Sequence, residues 1–195
     1  MPLYVISRHA ESTLNLENRV NGDPNVPVQL TDKGCDQAAL LGQQIAHIPF
    51  ELCICTPFSR TRATAEIALE GRNVPVEVVP KLGDIDIGEL EGKTLEDYRT
   101  WKHAHTRRDP FPGGESLDAA ALRYADAYEE LLRRPERTVL VVTHEIPLRY
   151  AINGADGSDD LDGPAHQIAN ATPYLFDDAA LGRAVEQIRH VVSVL

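Results

Sequence analysis

The residues of this sequence best suited to chemistry are arginines and histidines that follow short apolar segments. Arg8 and His9 come directly after the first such segment. Arg60 comes a few residues after the second, and His144 directly after the fourth. An arginine guanidinium binds phosphate oxygens in pairs and stays charged at any relevant pH. Because a neutral histidine nitrogen can attack phosphorus and form a covalent intermediate, this combination predicts phosphoryl chemistry.

Other common chemistries lack their sequence signals. The chain contains no GxxxxGK[ST] or GxGxxG phosphate loop and no GxSxG nucleophile motif. The positive charge of Arg8 beside His9 disfavours a bound divalent cation. Cys35, Cys53 and Cys55 form no CxxC pair, and their odd number predicts buried, reduced thiols. We therefore expect neither a metal nor a cofactor.

The elements that must position these residues alternate between strand and helix. This alternation predicts an α/β fold, a three-layer α/β/α sandwich with a mainly parallel central sheet flanked by helices. In such sheets ligands bind beyond the carboxyl ends of the strands, which is where the arginines and histidines fall. Strands are expected over residues 3–7, 52–55, 76–79 and 139–142, with two further β-type segments at 172–176 and 187–194. Helices are expected over 32–47, 59–70, 117–133 and 148–153 and after Thr94, while 11–30, 83–92, 103–114 and 154–167 are expected to be loops.

Length and composition limit the classes of protein to which the chain can belong. Its 195 residues suit one domain, 1–195, with a lid or insertion expected around 93–116. The net charge of −11 argues against nucleic acid and anionic membranes as partners. Its apolar runs are far shorter than the ~20 residues of a membrane span, and no secretory leader is visible at the N-terminus. We therefore expect a cytoplasmic protein.

Several ordered motifs resemble those of the histidine phosphatase superfamily, the phosphoglycerate mutase-like family. RHAES at 8–12 and NRVNG at 18–22 resemble its first signature, and TPFSRTRAT at 56–64 resembles its second-arginine motif. GELEG at 88–92, FPGGES at 111–116 and VVTHEIPLRYAI at 141–152 follow in the family's order. The resemblance implies a phosphoglycerate mutase-like fold and the phosphatase branch of the family.

The resemblance also implies roles for individual residues. His9 would be the nucleophile that becomes phosphorylated. Arg8, Arg60 and His144 would surround the transferred phosphoryl group, with Asn15 at its edge. Arg62 lies two positions from Arg60 and is the alternative in that motif, although the spacing favours Arg60.

The general acid is less clearly marked. The family usually has a glutamate four residues before the glycine that begins GELEG, and here that position is Asp84. Asp84 would protonate the leaving oxygen and then help water attack, while Asp86 and Glu89 are the other candidates. Glu145 replaces the glycine that usually follows the second histidine, which places a negative charge near the substrate-binding pocket.

Other residues have two interpretations or a purely structural one. The basic run His103, His105, Arg107 and Arg108 is either a solvated loop or part of substrate recognition. Tyr98 and Trp101 could serve the core or the pocket. We expect the remaining histidines, His47, His166 and His190, to be structural, and the core face of the 117–133 helix to comprise Leu122, Ala125, Tyr128, Leu131 and Leu132.

Together these features predict a metal-independent phosphomonoester hydrolase that forms a phosphohistidine and acts on a small phosphorylated molecule. A mutase-type phosphotransferase is the first alternative, although 195 residues leave little room for segments that shield the intermediate from water. A catalytically weak phosphate-ester binding protein is the second. A homodimer would be consistent with any of these.

Overall fold

A five-stranded sheet forms the centre of the computed structural model, which describes residues 1–194. The strands are β1 (Leu3–Arg8), β2 (Leu52–Cys55), β3 (Val76–Val78), β4 (Thr138–Thr143) and β5 (Pro173–Phe176). They lie in the order β3-β2-β4-β1-β5, and only β5 runs antiparallel to its neighbour. The mainly parallel sheet confirms the predicted α/β fold.

Helices cover both faces of the sheet. They are α1 (Thr13–Leu16), α2 (Asp32–Gln44), α3 (Ser59–Ala68), α4 (Leu95–Ala104), α5 (Leu117–Leu132), α6 (Glu145–Ala155) and α7 (Asp178–Val194). Short 3₁₀ turns lie at Pro80–Leu82 and Gly88–Leu90. Side chains of Thr31, Thr94 and Ser116 accept hydrogen bonds from backbone N–H groups at the starts of α2, α4 and α5. These bonds satisfy donors that a helix cannot pair internally, and so fix where each helix begins.

The core consists of two apolar layers, one on each face of the sheet. Alternate residues of a strand point to opposite faces. In β1, Val5 therefore packs with α2 and α3, whereas Tyr4 and Ile6 pack with α5, α6 and α7. The buried residues 4–6 of β1 and 139–142 of β4 read as continuous apolar runs because both of their faces are covered.

The C-terminal prediction was wrong. Residues 187–194 were expected to be β-type, but they form the second half of α7. Its buried residues Leu181, Val185, Ile188 and Val191 repeat every three or four positions, which is the spacing of one helix face. The β-branched valines near the end gave a misleading local signal, because packing against α5 and α6 determines the conformation.

Smaller differences concern helix ends and exposure. Helix α6 begins at Glu145 instead of 148, since the first turn of a helix tolerates Pro147. Helix α4 continues to Ala104, into a segment expected to be irregular, and the 11–30 loop contains the short α1. Leu122 is 41% exposed instead of buried, and Cys35 is exposed, because each lies on the outer side of its helix. Cys53 and Cys55 are buried as expected, and no helix among residues 1–194 is long and apolar enough to cross a bilayer.

Candidate active site

The parallel pairing of β1 and β4 brings the two candidate histidines together. Arg8 pairs in register with Thr143, so the residues that follow both strands leave the sheet at the same edge. The backbone N–H of His9 donates to the carbonyl of Thr143 at 2.9 Å. The rings of His9 and His144 meet edge to face, with 5.4 Å between their centroids. His9 lines a cleft of about 740 Å³, and the fully buried His144 lies behind it.

His9 is buried and has a defined tautomer. Its Nδ1 lies 2.7 Å from the carbonyl oxygen of Ala10, which can only accept, so Nδ1 carries the proton. Its Nε2 accepts a hydrogen bond from Nε of Arg60 at 3.1 Å. Burial, and then the charges of Arg60 and Arg8, hold the pKa of His9 well below its usual 6.5. The ring is therefore neutral, and the lone pair on Nε2 is the one that accepts the Arg60 N–H.

His144 is the residue before α6 and is fully buried. Its Nδ1 lies 3.2 Å from a terminal nitrogen of Arg60, which can only donate, so Nδ1 accepts. Its Nε2 then donates to the hydroxyl of Thr56 at 2.9 Å. Burial lowers the pKa of His144 well below 6.5, and the Arg60 charge lowers it further. The second histidine is thus also neutral.

Arg60 connects the parts of the site. It lies in the first turn of α3, is 4% exposed, and packs over the ring of Phe58 at 4.5 Å. Its terminal nitrogens donate to the side chain and the backbone carbonyl of Asn21 and, at 3.1 Å, to Asp84. Arg62 lies on the exposed side of the same helix, outside the cleft. The structure therefore brings Arg60, and not Arg62, to the histidines.

Arg8 reaches the cleft from the other side. Its Nη1 donates to the carbonyl of Ile168 at 2.8 Å and forms an ion pair with Glu145 at 2.9 Å. Its Nε is buried and has no hydrogen-bond partner among residues 1–194. Asn15 lines the same cleft, and its side-chain oxygen accepts from the backbone of Ser12 at the start of α1. An unpaired, buried guanidinium N–H beside His9 is suited to an oxyanion.

Of the three candidate acids, only Asp84 lies beside the histidines. Its side chain is 21% exposed, and one oxygen lies 3.4 Å from Nδ1 of His144. Burial raises the pKa of Asp84, although the charge of Arg60 opposes this shift. Asp86 and Glu89 are both exposed and do not line the cleft. Asp86 instead accepts a hydrogen bond from the backbone of Gly88.

Some residues of the site were not singled out from the sequence. Asn21 is 8% exposed and holds Arg60, while Glu91 accepts hydrogen bonds from the Asn21 side chain and from two backbone N–H groups at 22 and 23. Thr64 accepts from the N–H of Ala10, and Asn170 donates to the carbonyl of His9. Asn21 and Glu91 fall within NRVNG and GELEG, so these motifs contained the signal.

The outer part of the cleft contains most of its cations. Helix α4 lies within the segment expected to be a lid, and it contributes Tyr98, Arg99, Lys102 and His103 to the cleft wall. Arg107 of the basic run points elsewhere and pairs with Asp118 and Asp162. His166 also lines the cleft, so it does not fit the purely structural role expected for it.

Comparisons with known proteins identify relatives of the chain. The family model for the histidine phosphatase superfamily, branch 1, matches residues 4–188. The chain is 32% identical over 197 aligned positions to 2,3-bisphosphoglycerate-dependent phosphoglycerate mutase 2 of Gloeobacter violaceus, covering 93% of this chain and 88% of that protein. It is 33% identical over 160 positions to phosphoserine phosphatase 1 of Hydrogenobacter thermophilus, covering 76% and 74%. The solved structure of Bacillus stearothermophilus YhfR matches with a TM-score of 0.79 at 25% identity over 90% of each chain.

Proposed function

Because the chain belongs to branch 1 of the histidine phosphatase superfamily, we propose that it hydrolyses small phosphate monoesters through a phosphohistidine on His9. The observation that carries this proposal is the tautomer of His9. Its proton is held on Nδ1 by the Ala10 carbonyl, so Nε2 presents a lone pair to a cleft that Arg8 and Arg60 also line. A neutral imidazole held in this way is a competent nucleophile.

In the first step the phosphoryl group binds between Arg8 and Arg60. It accepts a hydrogen bond from the unpaired Nε–H of Arg8. It accepts another from the Nε–H of Arg60, which in this structure donates to His9. Nε2 of His9 then attacks phosphorus in line, and the bond to the ester oxygen breaks. The guanidinium groups stabilise the charge on the phosphoryl oxygens, which is the main catalytic requirement of phosphoryl transfer.

Asp84 donates a proton in the first step and accepts one in the second. Burial raises its pKa, and in the first step its carboxyl group gives a proton to the leaving oxygen as the alcohol departs. The resulting carboxylate then accepts a proton from water while the water oxygen attacks phosphorus. The P–N bond breaks, inorganic phosphate is formed, and His9 regains its lone pair.

A mutase is the second candidate, favoured by the 32% identity to the Gloeobacter violaceus mutase. It would form the same phosphohistidine but return the phosphoryl group to a phosphoglycerate instead of water. Phosphoglycerate interconversion that depends on added bisphosphoglycerate, with little phosphate release, would favour the mutase. A catalytically weak binding protein is disfavoured because neutral His9, Asp84 and both arginines lie in one cleft.

The proposal is tested by turnover of p-nitrophenyl phosphate and by trapping the intermediate with labelled substrate. The wild-type protein should release p-nitrophenolate and carry a phosphoryl label that is labile in acid and stable in base. His9→Ala should lose both. His47→Ala is the matched control, since His47 is an exposed histidine. Near-normal activity in His9→Ala would refute the mechanism.

We also propose a cellular location and a binding partner for the enzyme. Three free cysteines are typical of a reducing compartment, which supports the cytoplasm. A small phosphomonoester is the partner to which the cleft is suited, since its volume of about 740 Å³ accommodates a metabolite.

A further inference from the structure

Glu145 introduces a negative charge at the place where the cleft receives an anion. Its side chain is 30% exposed, lines the cleft, and lies 2.9 Å from Nη1 of Arg8. Arg8 is one of only two guanidinium groups at the histidines, and it would have to serve Glu145 and the phosphoryl group together. A bound phosphate dianion would therefore lie close to a carboxylate, and like charges at short distance repel.

Glu145 and the proposed acid Asp84 line the same cleft. Both lie close to His144, because Glu145 follows it in the chain and one oxygen of Asp84 lies 3.4 Å from its Nδ1. Asp84 is the proposed proton donor to the ester oxygen. The first atoms of the alcohol portion of a substrate must therefore lie near both acidic side chains.

A phosphate dianion that binds Arg8 would compete with Glu145 for its partner. In this structure Nη1 of Arg8 lies 2.9 Å from the Glu145 carboxylate. The next cation, Arg149, lies 3.8 Å from Glu145. Once the phosphate binds Arg8, Glu145 is left with this longer contact.

We infer that Glu145 selects phosphate monoesters that carry a protonated amine close to the ester oxygen. Such an ammonium group donates to the carboxylate and replaces the Arg8 contact that the phosphate takes over. A substrate with an apolar or anionic group at that position leaves the repulsion between Glu145 and the phosphate in place. This inference rests on the proposed phosphatase function and names the substrate class of the same site.

The test compares two substrates of nearly equal shape, phosphoethanolamine and n-propyl phosphate, in which an ammonium group replaces a methyl group. The ratio of their kcat/KM values is measured in the wild-type protein and in Glu145→Gln. Differences in intrinsic reactivity between the two esters cancel when the two ratios are compared. A charge-assisted hydrogen bond contributes about 1.5–3 kcal/mol, so the ratio should fall about 10- to 100-fold in the variant.

The two substrates should also change in opposite directions. Phosphoethanolamine should lose kcat/KM in Glu145→Gln, whereas propyl phosphate should gain, since its dianion no longer lies beside a carboxylate. If Glu145 only positioned Arg8, both values would fall together and the ratio would stay constant. A ratio that changes less than about twofold would overturn the inference.

Two controls complete the design. Glu130→Gln removes the same charge from an exposed ion pair with Lys81, outside the cleft, and should leave the ratio unchanged. Glu145→Gly serves as the second variant if the glutamine substitution does not fold. Wild-type turnover of p-nitrophenyl phosphate separates the two hypotheses: its absence refutes the phosphatase, whereas turnover with an unchanged ratio refutes only the role of Glu145.

Discussion

At the scale of single residues, the assignment of Asp84 as the acid can be tested with substrates whose leaving groups differ in their need for a proton. An alkyl phosphate leaves as a poor alkoxide, whereas p-nitrophenolate departs without help. Asp84→Asn should therefore slow the first step on alkyl phosphates by about 10²–10⁴ and affect p-nitrophenyl phosphate much less. A burst-phase measurement separates this step from dephosphorylation. Asp86→Asn is the control on an exposed carboxylate, and equal losses on both substrates would count against Asp84 as the acid.

Arg60 and Arg62 offer a second test by single residues. Arg60 donates to His9, Asp84 and Asn21, while Arg62 lies on the exposed side of the helix. Arg60→Ala should lower kcat about 10²–10³-fold, since it removes a preorganised charge donor. Arg62→Ala should leave kcat within about twofold in the same steady-state assay. The reverse pattern would place the phosphate on the other face of α3.

The histidines and arginines were predictable because each follows a strand end, whereas the acid was not. Asp84, Asp86 and Glu89 lie within six positions, and a carboxylate in an acidic loop gives no signal of its burial. The direction of each side chain depends on how the 83–92 loop packs under α5. Long-range packing of this kind is invisible in local spacing.

At the scale of elements, one carboxylate holds the loop that supports Arg60. Glu91 accepts from the Asn21 side chain at 2.6 Å and from the N–H groups of Gly22 and Asp23 at 2.7 and 3.0 Å. A glutamine at this position would place an amide donor against one of these donors, which leaves a hydrogen bond unmade at a cost of about 1–3 kcal/mol. Asn21 would then hold Arg60 less well.

Glu91→Gln should therefore reduce both kcat/KM and stability. We expect the free energy of unfolding to fall by about 1–3 kcal/mol in urea titrations, with a loss of about tenfold in kcat/KM. Glu89→Gln is the matched control, because Glu89 is exposed and belongs to the same GELEG motif. Equal behaviour of the two variants would show that the loop does not depend on the Glu91 carboxylate.

Most elements were predictable because their apolar runs and capping residues agree with the final packing. The helices predicted to begin at residue 32 and after Thr94 do begin there, and the side chains of Thr31 and Thr94 accept backbone hydrogen bonds at their starts. The end of α7 was not predictable from its valines alone. Its repeat of buried residues gains meaning only when α5 and α6 are present to cover it.

At the scale of the whole molecule, the acidic chain surrounds a locally cationic cleft. The net charge of −11 made general anion binding unlikely from composition, but composition cannot locate individual charges. The sheet does so, because parallel strands deliver Arg8 and both histidines to one edge. This arrangement lowers the stability of the folded protein in acid, since two neutral imidazoles are buried where they cannot easily accept a proton.

That burial links folding to pH. In the unfolded chain His9 and His144 have an ordinary pKa near 6.5, whereas in the folded protein burial, and then the Arg60 charge, hold both pKa values well below it. Below pH 6.5 the unfolded state therefore binds more protons than the folded state. The linkage relation then requires that stability fall as the pH falls, by up to about 1.4 kcal/mol per pH unit for each histidine. Asp84 has the opposite effect on the pH dependence of stability. Burial raises its pKa in the folded state above the unfolded value of 3.8, so at this group the folded state binds more protons than the unfolded state.

The expected result is a steep loss of stability between pH 6.5 and 5.5 that depends on the buried histidines. Urea unfolding should show a wild-type decrease of about 2 kcal/mol from the two imidazoles over this interval, and His9→Gln should lose about half of it. His47→Gln should keep the full decrease, because His47 is exposed and lies outside the cleft. Asp84 and the remaining carboxylates are common to all three proteins, so their contributions cancel in the comparison of slopes. A slope in His9→Gln equal to that of the wild-type protein would mean that His9 already accepts a proton in the folded state, and the lone pair on which the proposed mechanism depends would not be available in mild acid.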